Sequence, residues 1–219
     1  FSEDSEIQII YEDFAIKSIE NLYIPPKLKE LRNGWCICLY NLNKIEISPK
    51  NRNFVMKDEK LLLGKSDLKS DNFDVILFGV RDITEVKIPS NIRIISPNAF
   101  YFCNNLTKVD IPENSELQSI GEYAFANSNI SEIFIPQHIS KLDKGVFSRC
   151  KNLEVVEISQ NSELKSIEEY AFSKSSIEQI HIPKDVSKIG EFAFYLCQDL
   201  ITVDIPENSE LQSIEKYAF

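Results

Sequence analysis

Five cysteines and two histidines are the residues of this chain best suited to metal or nucleophile chemistry. Cys103, Cys150 and Cys197 follow one another at intervals of 47 residues. Cys36 and Cys38 form a C-x-C pair, with no second pair nearby to complete a metal-ligand set. His138 and His181 stand in different surroundings, and no Ser or Cys is placed beside either as a nucleophile needing a base. Asp110, Glu157 and Asp204 share the 47-residue interval of the cysteines. No catalytic, metal-ligating or cofactor-binding residue emerges, and the expectation is no enzyme, no metal and no cofactor. The residues that could do chemistry recur because something else in the chain recurs.

That something is a repeat. Ala-Phe pairs end at Phe100, Phe125, Phe172, Phe194 and Phe219, with Val146-Phe147 as a variant, and the Phe spacings alternate between 25 and 22. Residues 193–219 match residues 99–125 at 20 of 27 positions, and Glu113 to Ile120 recurs unchanged as Glu207 to Ile214. A second motif, apolar-x-x-apolar-x-apolar, starts at Ile19, Leu42, Ile83, Leu106, Ile130, Leu153, Ile177 and Leu200. Its last two apolar positions alternate, as in Val109-Asp110-Ile111, which predicts a short strand with one buried face. Pro25, Pro89, Pro112, Pro136, Pro183 and Pro206 follow these strands. Proline has no N–H and a fixed φ, so it ends the strand and turns the chain. Ile95, Ile120, Leu142, Ile167, Ile189 and Ile214 then precede each Phe by five positions. That spacing predicts a short helical or 3₁₀ turn on the opposite side.

One interval between strand motifs, Leu42 to Ile83, is 41 residues where the others are 23 or 24. The excess predicts an insert at about 48–72, a β-hairpin or protruding loop, with the register resuming at Phe73 and Phe78. Upstream, Ile9 and Phe14 fit the first unit, and Trp35-Cys36 replaces Ala-Phe in the second. One strand and one turn cannot bury an apolar face alone, but stacked units can, with the Phe residues forming an internal ladder. The whole chain, 1–219, reads as one solenoid domain. It starts at Phe1 and ends at Phe219 inside a unit, so it is expected to be a fragment of a longer chain.

The strand motif with Ile for Leu, together with I-P, I-x-x-x-A-F and F-x-x-C-x-x-L, closely resembles the BspA-like leucine-rich repeat family, especially versions of the surface-antigen type from trichomonad-like protists. The resemblance runs from Ile9 to Phe219. It implies an α/β leucine-rich repeat solenoid, a horseshoe with a parallel β-sheet on the concave face and short helical or 3₁₀ turns on the convex face. It also implies a non-enzymatic protein-recognition module, a cell-surface or secreted protein of adhesion. An intracellular structural scaffold or cytoskeleton-associated component is the alternative.

In such a stack, alternate strands lie roughly 10 Å apart. Cys103, Cys150 and Cys197 therefore cannot join one another, since disulfide Cα atoms lie within about 7 Å. They are expected to be reduced core residues, and cysteine usage does not demand an oxidising compartment. The column of Asp110, Glu157 and Asp204 is likewise too widely spaced to share a Ca²⁺ ion. The fourth position of each strand motif points away from the core: Tyr23, Glu46, Lys87, Asp110, Phe134, Glu157, His181 and Asp204 in order along the sheet. Tyr23 and Phe134 have no evident structural reason to be aromatic there, and aromatics anchor interfaces. Val155 and Ile201 add apolar area beside them. These residues, apart from Glu46, are the candidate partner-binding set, whereas the convex turns are expected to vary little between units. The partner is a protein or other macromolecule. The net charge of −10 argues against nucleic acid, and no apolar run is long enough for a membrane helix.

Overall fold

The computed structural model describes residues 1–12 and 16–219. Phe14, expected in the ladder of the first unit, lies outside them. The strand motifs fold as expected. They line up as four hydrogen-bonded parallel pairs, together the first ladder: Asn21–Ile24 with Lys44–Ile47, Glu85–Lys87 with Lys108–Asp110, Glu132–Ile135 with Val155–Ile158, and Gln179–His181 with Thr202–Asp204. Pairing is parallel and in register, with Val109 opposite Val86 and Ile180 opposite Val203. Alternate residues face a core of Ile, Leu and Val, and the prolines act where the sequence places them. Each proline carbonyl accepts a turn hydrogen bond, from Ile92 to Pro89 (3.0 Å) and from Val186 to Pro183 (3.0 Å), for example.

A second parallel ladder was not read from the sequence. Ile94–Ile95, Ser119–Ile120, Lys141–Leu142, Ser166–Ile167, Lys188–Ile189 and Ser213–Ile214 are two-residue strands, with Ile120 opposite Ile95 and Ile189 opposite Ile167. Two residues carry no period, so the apolar residue of each was assigned to the turn that follows it.

No helix is present among the described residues, which corrects the α/β class and the helical turns: the fold is a parallel-strand β-solenoid. The physical reason lies in the residues around each Phe. Asn98, Tyr123, Gly145, Tyr170, Phe192 and Tyr217, two positions before it, have φ between +53° and +61°. Phe102, Asn127, Arg149, Lys174 and Leu196, two positions after it, are also left-handed. A right-handed helix cannot pass through a left-handed residue every fourth position. Successive β-turns form instead: Ala99 N–H donates to Ser96 O (3.2 Å) and Cys103 N–H to Phe100 O (3.1 Å). A positive φ at the third residue of such turns is the type II pattern.

The remaining N–H groups donate sideways rather than along the chain. Phe100 donates to Ala124 O (2.8 Å), Phe125 to Val146 O (3.0 Å), Phe147 to Ala171 O (2.8 Å) and Phe172 to Ala193 O (2.8 Å). These lateral bonds bring the Phe rings into one column. Phe100, Phe125, Phe147, Phe172, Phe194 and Phe219 stack with centroids 5.0, 5.8, 5.4, 5.4 and 5.1 Å apart. All but the terminal Phe219 are buried.

The insert contains a hairpin, Val55–Lys57 with Leu61–Gly64, but it does not protrude. Leu61–Gly64 pairs antiparallel with Val75–Gly79, which in turn runs parallel to Ile94–Ile95 and joins the second ladder as a five-stranded sheet. Ile76, not Phe73, lies opposite Ile95, so the register resumes three residues later than the Phe spacing suggests. Phe78 is still buried and lies 5.6 Å from Trp35, reaching the core from a strand rather than a turn. Gly79 permits the junction: a Cβ there would lie 2.4 Å from the Phe100 ring, so only glycine admits the first rung of the ladder.

Candidate functional site

The strand face is built by the extended backbone of the first ladder, which sends every second side chain outward. Lys87, Asp110, Glu157, His181 and Asp204 are exposed there, as expected. Parallel register sets them in pairs. Lys87 stands opposite Asp110, with Nζ 3.9 Å from Oδ2. His181 stands opposite Asp204, its Nδ1 2.7 Å from Oδ2. Phe134 stands opposite Glu157.

Phe134 is only half-buried, because part of its ring packs against the core. Val155, 43% exposed, lies on the same face diagonally from it. Ile201 is 87% exposed but precedes its strand, three strands from Phe134, or about 14 Å at ordinary strand spacing. It therefore does not add to the apolar area around Phe134.

Tyr23 has a structural role that the spacing did not suggest. Its hydroxyl donates to Glu3, which also accepts from Ser48 Oγ (3.1 Å) and pairs with Lys50 Nζ (3.1 Å). The Tyr23 hydrogen bond, followed by those from Ser48 and Lys50, holds the Glu3 carboxyl below its ordinary range. The same bond pushes the Tyr23 phenol up. Tyr23 ties the N-terminal segment to the sheet.

All five cysteines are free. Cys103 and Cys150 are buried, but Cys197 is partly exposed, a correction to the expectation of three core thiols. Cys150 Sγ donates to Phe125 O (3.1 Å) and lies 3.4 Å from Ser128 Oγ. Cys197 repeats this with Phe172 O (3.0 Å) and Ser175 Oγ (3.5 Å). Cysteine and serine thus alternate in one column, three positions after the Phe, which is why only alternate units carry the thiol. Burial pushes the Cys150 thiol up to about 12, against the lowering effect of Ser128. A thiol so far from ionised is a poor nucleophile and a poor metal ligand.

Arg81 is the buried polar residue that the sequence reading passed over. It is 5% exposed, just beyond the strand Val75–Gly79 that follows the insert. Its guanidinium donates to Leu39 O (3.1 Å), Ala99 O (3.1 Å) and Cys36 O (3.3 Å), and lies 4.2 Å over the Phe78 ring. It forms no ion pair among the described residues. The signal available was an Arg directly after the apolar run Phe78-Gly79-Val80, where the repeat was already irregular. Its bonds knit the irregular junction to the regular stack, which is a structural task.

No group of three or more His, Cys, Asp or Glu is gathered to hold a metal among the described residues. Among the described residues no helix is long and apolar enough to cross a membrane.

The BspA-type leucine-rich repeat model matches residues 76–184 and 154–219, in six copies. A leucine-rich cell surface protein from Faecalibacterium prausnitzii A2-165 superposes with a TM-score of 0.81 at 24% identity, over 95% of this chain and 55% of its own. A leucine-rich repeat protein from Eubacterium ventriosum ATCC 27560 gives 0.74 at 20% identity, over 91% and 55%. The pneumococcal vaccine antigen PcpA gives 0.60 at 19%, over 94% and 61%. The chain thus spans little more than half the length of these proteins. No match is found among curated proteins. With the fold of these neighbours and a family match over well more than half of its residues, the chain belongs to the BspA-type leucine-rich repeat family.

Proposed function

We propose that this chain is a non-enzymatic adhesion module of a cell-surface or secreted protein, binding a macromolecular partner through its strand face. The observation that carries this reading is the exposed column itself. Lys87 with Asp110, Phe134 with Glu157, and His181 with Asp204 stand in register as successive pairs along the strand face and differ from unit to unit. Identical units would offer identical contacts, so recognition requires such variety. Phe134 with Val155 supplies an apolar anchor beside charged neighbours, the make-up of a hot spot with a polar rim. The surface assignment is supported by two fold neighbours, one described as a cell surface protein and one as a vaccine antigen. Five free cysteines favour the second reading, an intracellular scaffold, because reducing compartments keep thiols free.

The test is affinity for the partner recovered by a pull-down with the native protein. Phe134→Ala with His181→Ala is expected to weaken binding by about 1–3 kcal/mol, with a melt of the same variant showing a smaller loss. Full affinity in the double variant rules out this face. Localisation of the tagged full-length protein separates the surface reading from the scaffold.

A further inference from the structure

The outer side of the turns carries an open groove of about 550 Å³. Its make-up follows from three positions of the repeat. The position after each ladder Phe supplies the floor, Ala126, Ser148 and Ser173 in successive units, with Tyr101 and Tyr195 at its two ends. Ala126 and Ser173 are buried and Ser148 is half-buried. Tyr123, Tyr170 and Phe192, two positions before the Phe, form one wall. Tyr123 covers Gly145, so this wall has no gap at the glycine. Asn127, Arg149 and Lys174, two positions after the Phe, form the other wall. Ring contacts fix the first wall: Tyr170 stacks on Phe192 at 5.0 Å, and Phe192 meets Tyr195 edge-on at 5.3 Å. A groove held in this way is formed before any ligand arrives, which lowers the cost of binding.

The lining includes two cations and no carboxylate, in a chain with net charge −10. Arg149 and Lys174 are exposed, and neither makes an ion pair among the described residues. Glu122, Glu169 and Glu191 directly precede the residues of the ring wall but lie outside the lining, and Glu169 is already paired with Lys144 (2.7 Å). The floor has a different chemistry. Ser148 Oγ donates to Ser173 O (3.3 Å), and Ser173 Oγ donates to Tyr195 O (3.2 Å). With their hydrogens committed, these two oxygens are left as acceptors. The hydroxyls of Tyr101, Tyr123, Tyr170 and Tyr195 have no hydrogen-bond partner among the described residues and can act either way. The groove therefore suits a ligand that brings anions to the rim and hydroxyl donors to the floor.

We propose that this groove binds an acidic oligosaccharide, a linear chain of sugars carrying carboxylate or sulfate groups. Arg149 and Lys174 stand in laterally bonded units, about 5 Å apart along the stack, and pair with anions on successive sugars. Charge-assisted hydrogen bonds are the strongest polar contacts available to them. Sugar hydroxyls donate to Ser148 and Ser173, and the phenols meet the hydroxyls along the wall. In an extended acidic peptide the side chains on one side recur about every 7 Å, which overshoots the cation spacing. A sugar unit matches it more closely, and a ligand that repeats suits a lining that repeats. The site lies on the turns, apart from the strand face, and stands or falls independently of it.

The experiment uses the 219-residue chain and isothermal titration calorimetry with four probes: a heparin-derived hexasaccharide, hexagalacturonate, maltohexaose and a hexaglutamate peptide. Saturable binding of at least one acidic sugar is expected, weakening as salt screens the charges. The tighter of the two identifies the anion as sulfate or carboxylate. Ser148→Tyr fills the floor with the residue that Tyr101 and Tyr195 already place at this position. It is expected to abolish binding with an unchanged Tm. Arg149→Ser with Lys174→Ser removes two charge-assisted bonds and is expected to weaken binding about tenfold or more, with a flatter salt dependence and an unchanged melt. If Ser148→Tyr does not fold, the double cation variant decides. No binding of either acidic sugar, equal binding of maltohexaose, or full affinity in a folded variant overturns the proposal. So does hexaglutamate binding as tightly as the acidic sugars, which would make this a peptide site.

Discussion

Side chains on the strand face stand on extended backbone that any residue adopts, whereas the outer side chains of the turns stand on left-handed residues. Lys87, Phe134 and His181 can differ from one another at no backbone cost. Phe102, Tyr123, Tyr170 and Phe192 each carry roughly 1–2 kcal/mol of conformational cost. The turns hold them by lateral hydrogen bonds, such as Tyr170 N–H to Glu191 O (3.0 Å), and by ring stacking. The expectation that the turns vary little holds for the inner Ala-Phe pair and fails for these outer positions. One face varies freely, and the other varies only where packing compensates. Gly145 is such a place, because the Tyr123 ring occupies the space that a side chain there would need.

Both faces rest on the Phe ladder, so the largest effect should come from breaking it. Phe147 is fully buried between Phe125 and Phe172. Phe147→Ala is expected to cost about 3–5 kcal/mol, read as a shift of the urea midpoint. Strand face and turn face should lose structure together, since each unit closes through that ring. An unchanged midpoint, or loss of the turns with the strand ladder intact, would show that the two faces are held separately.

Arg81 sharpens the comparison at the one place where the turn is replaced by a strand. Arg81→Met keeps most of the apolar stem and removes three hydrogen bonds. Ala99 O still accepts from Gly79 N–H (2.9 Å) and Cys36 O from Leu39 N–H (3.1 Å), so the loss falls mainly on Leu39 O. An orphaned buried acceptor costs about 1–3 kcal/mol. A net loss of about 2 kcal/mol is expected, confined to the insert and its neighbours. Hydrogen exchange should show faster exchange at Gly79 and Val80 than at the lateral amides of Phe147 and Phe172. Uniform loss along the chain would mean that the insert is not a distinct region.

Legibility followed period. The first ladder was readable because Val109-Asp110-Ile111 and its equivalents alternate over several residues and end at proline. The Phe ladder was readable because its spacing repeats. The second ladder was not, because strands such as Lys141–Leu142 are too short to show alternation. Left-handed residues were hidden because only Asn98, Asn127 and Gly145 carry the residue types that signal such a turn, while Tyr, Phe, Arg, Lys and Leu fill the equivalent positions of the other units. On the candidate face, outward direction was readable from parity, but contacts were not. Tyr23 meets Glu3, a partner 20 residues away in sequence, and Ile201 falls outside the ladder that parity presumes. Arg81 depends on contacts with Leu39, Cys36 and Ala99, which no local pattern announces.

The smallest expected effect is a rate difference in the thiol column, and it tests whether the inner turns open as easily as those near the end. Alkylation requires the thiolate. Cys150 is fully buried, and burial holds its thiol up at about 12, so at pH 8 its ionised fraction is on the order of 10⁻⁴. Cys197 is raised by the same cause, burial ahead of the lowering bonds to Ser175, but it is partly exposed near the last unit. Iodoacetamide at pH 8 followed by mass spectrometry is expected to modify Cys197 well before Cys150. Raising the pH should speed both, since the protonated form is the unreactive one. Denaturant should bring both to the same rate, because unfolding removes the burial that separates them. If Cys150 reacts as fast as Cys197 in the native protein, the middle turns open as freely as the last. A stacked column that opens so freely could not hold Tyr170 in place, and the rigidity assigned to the turn face would be lost with it.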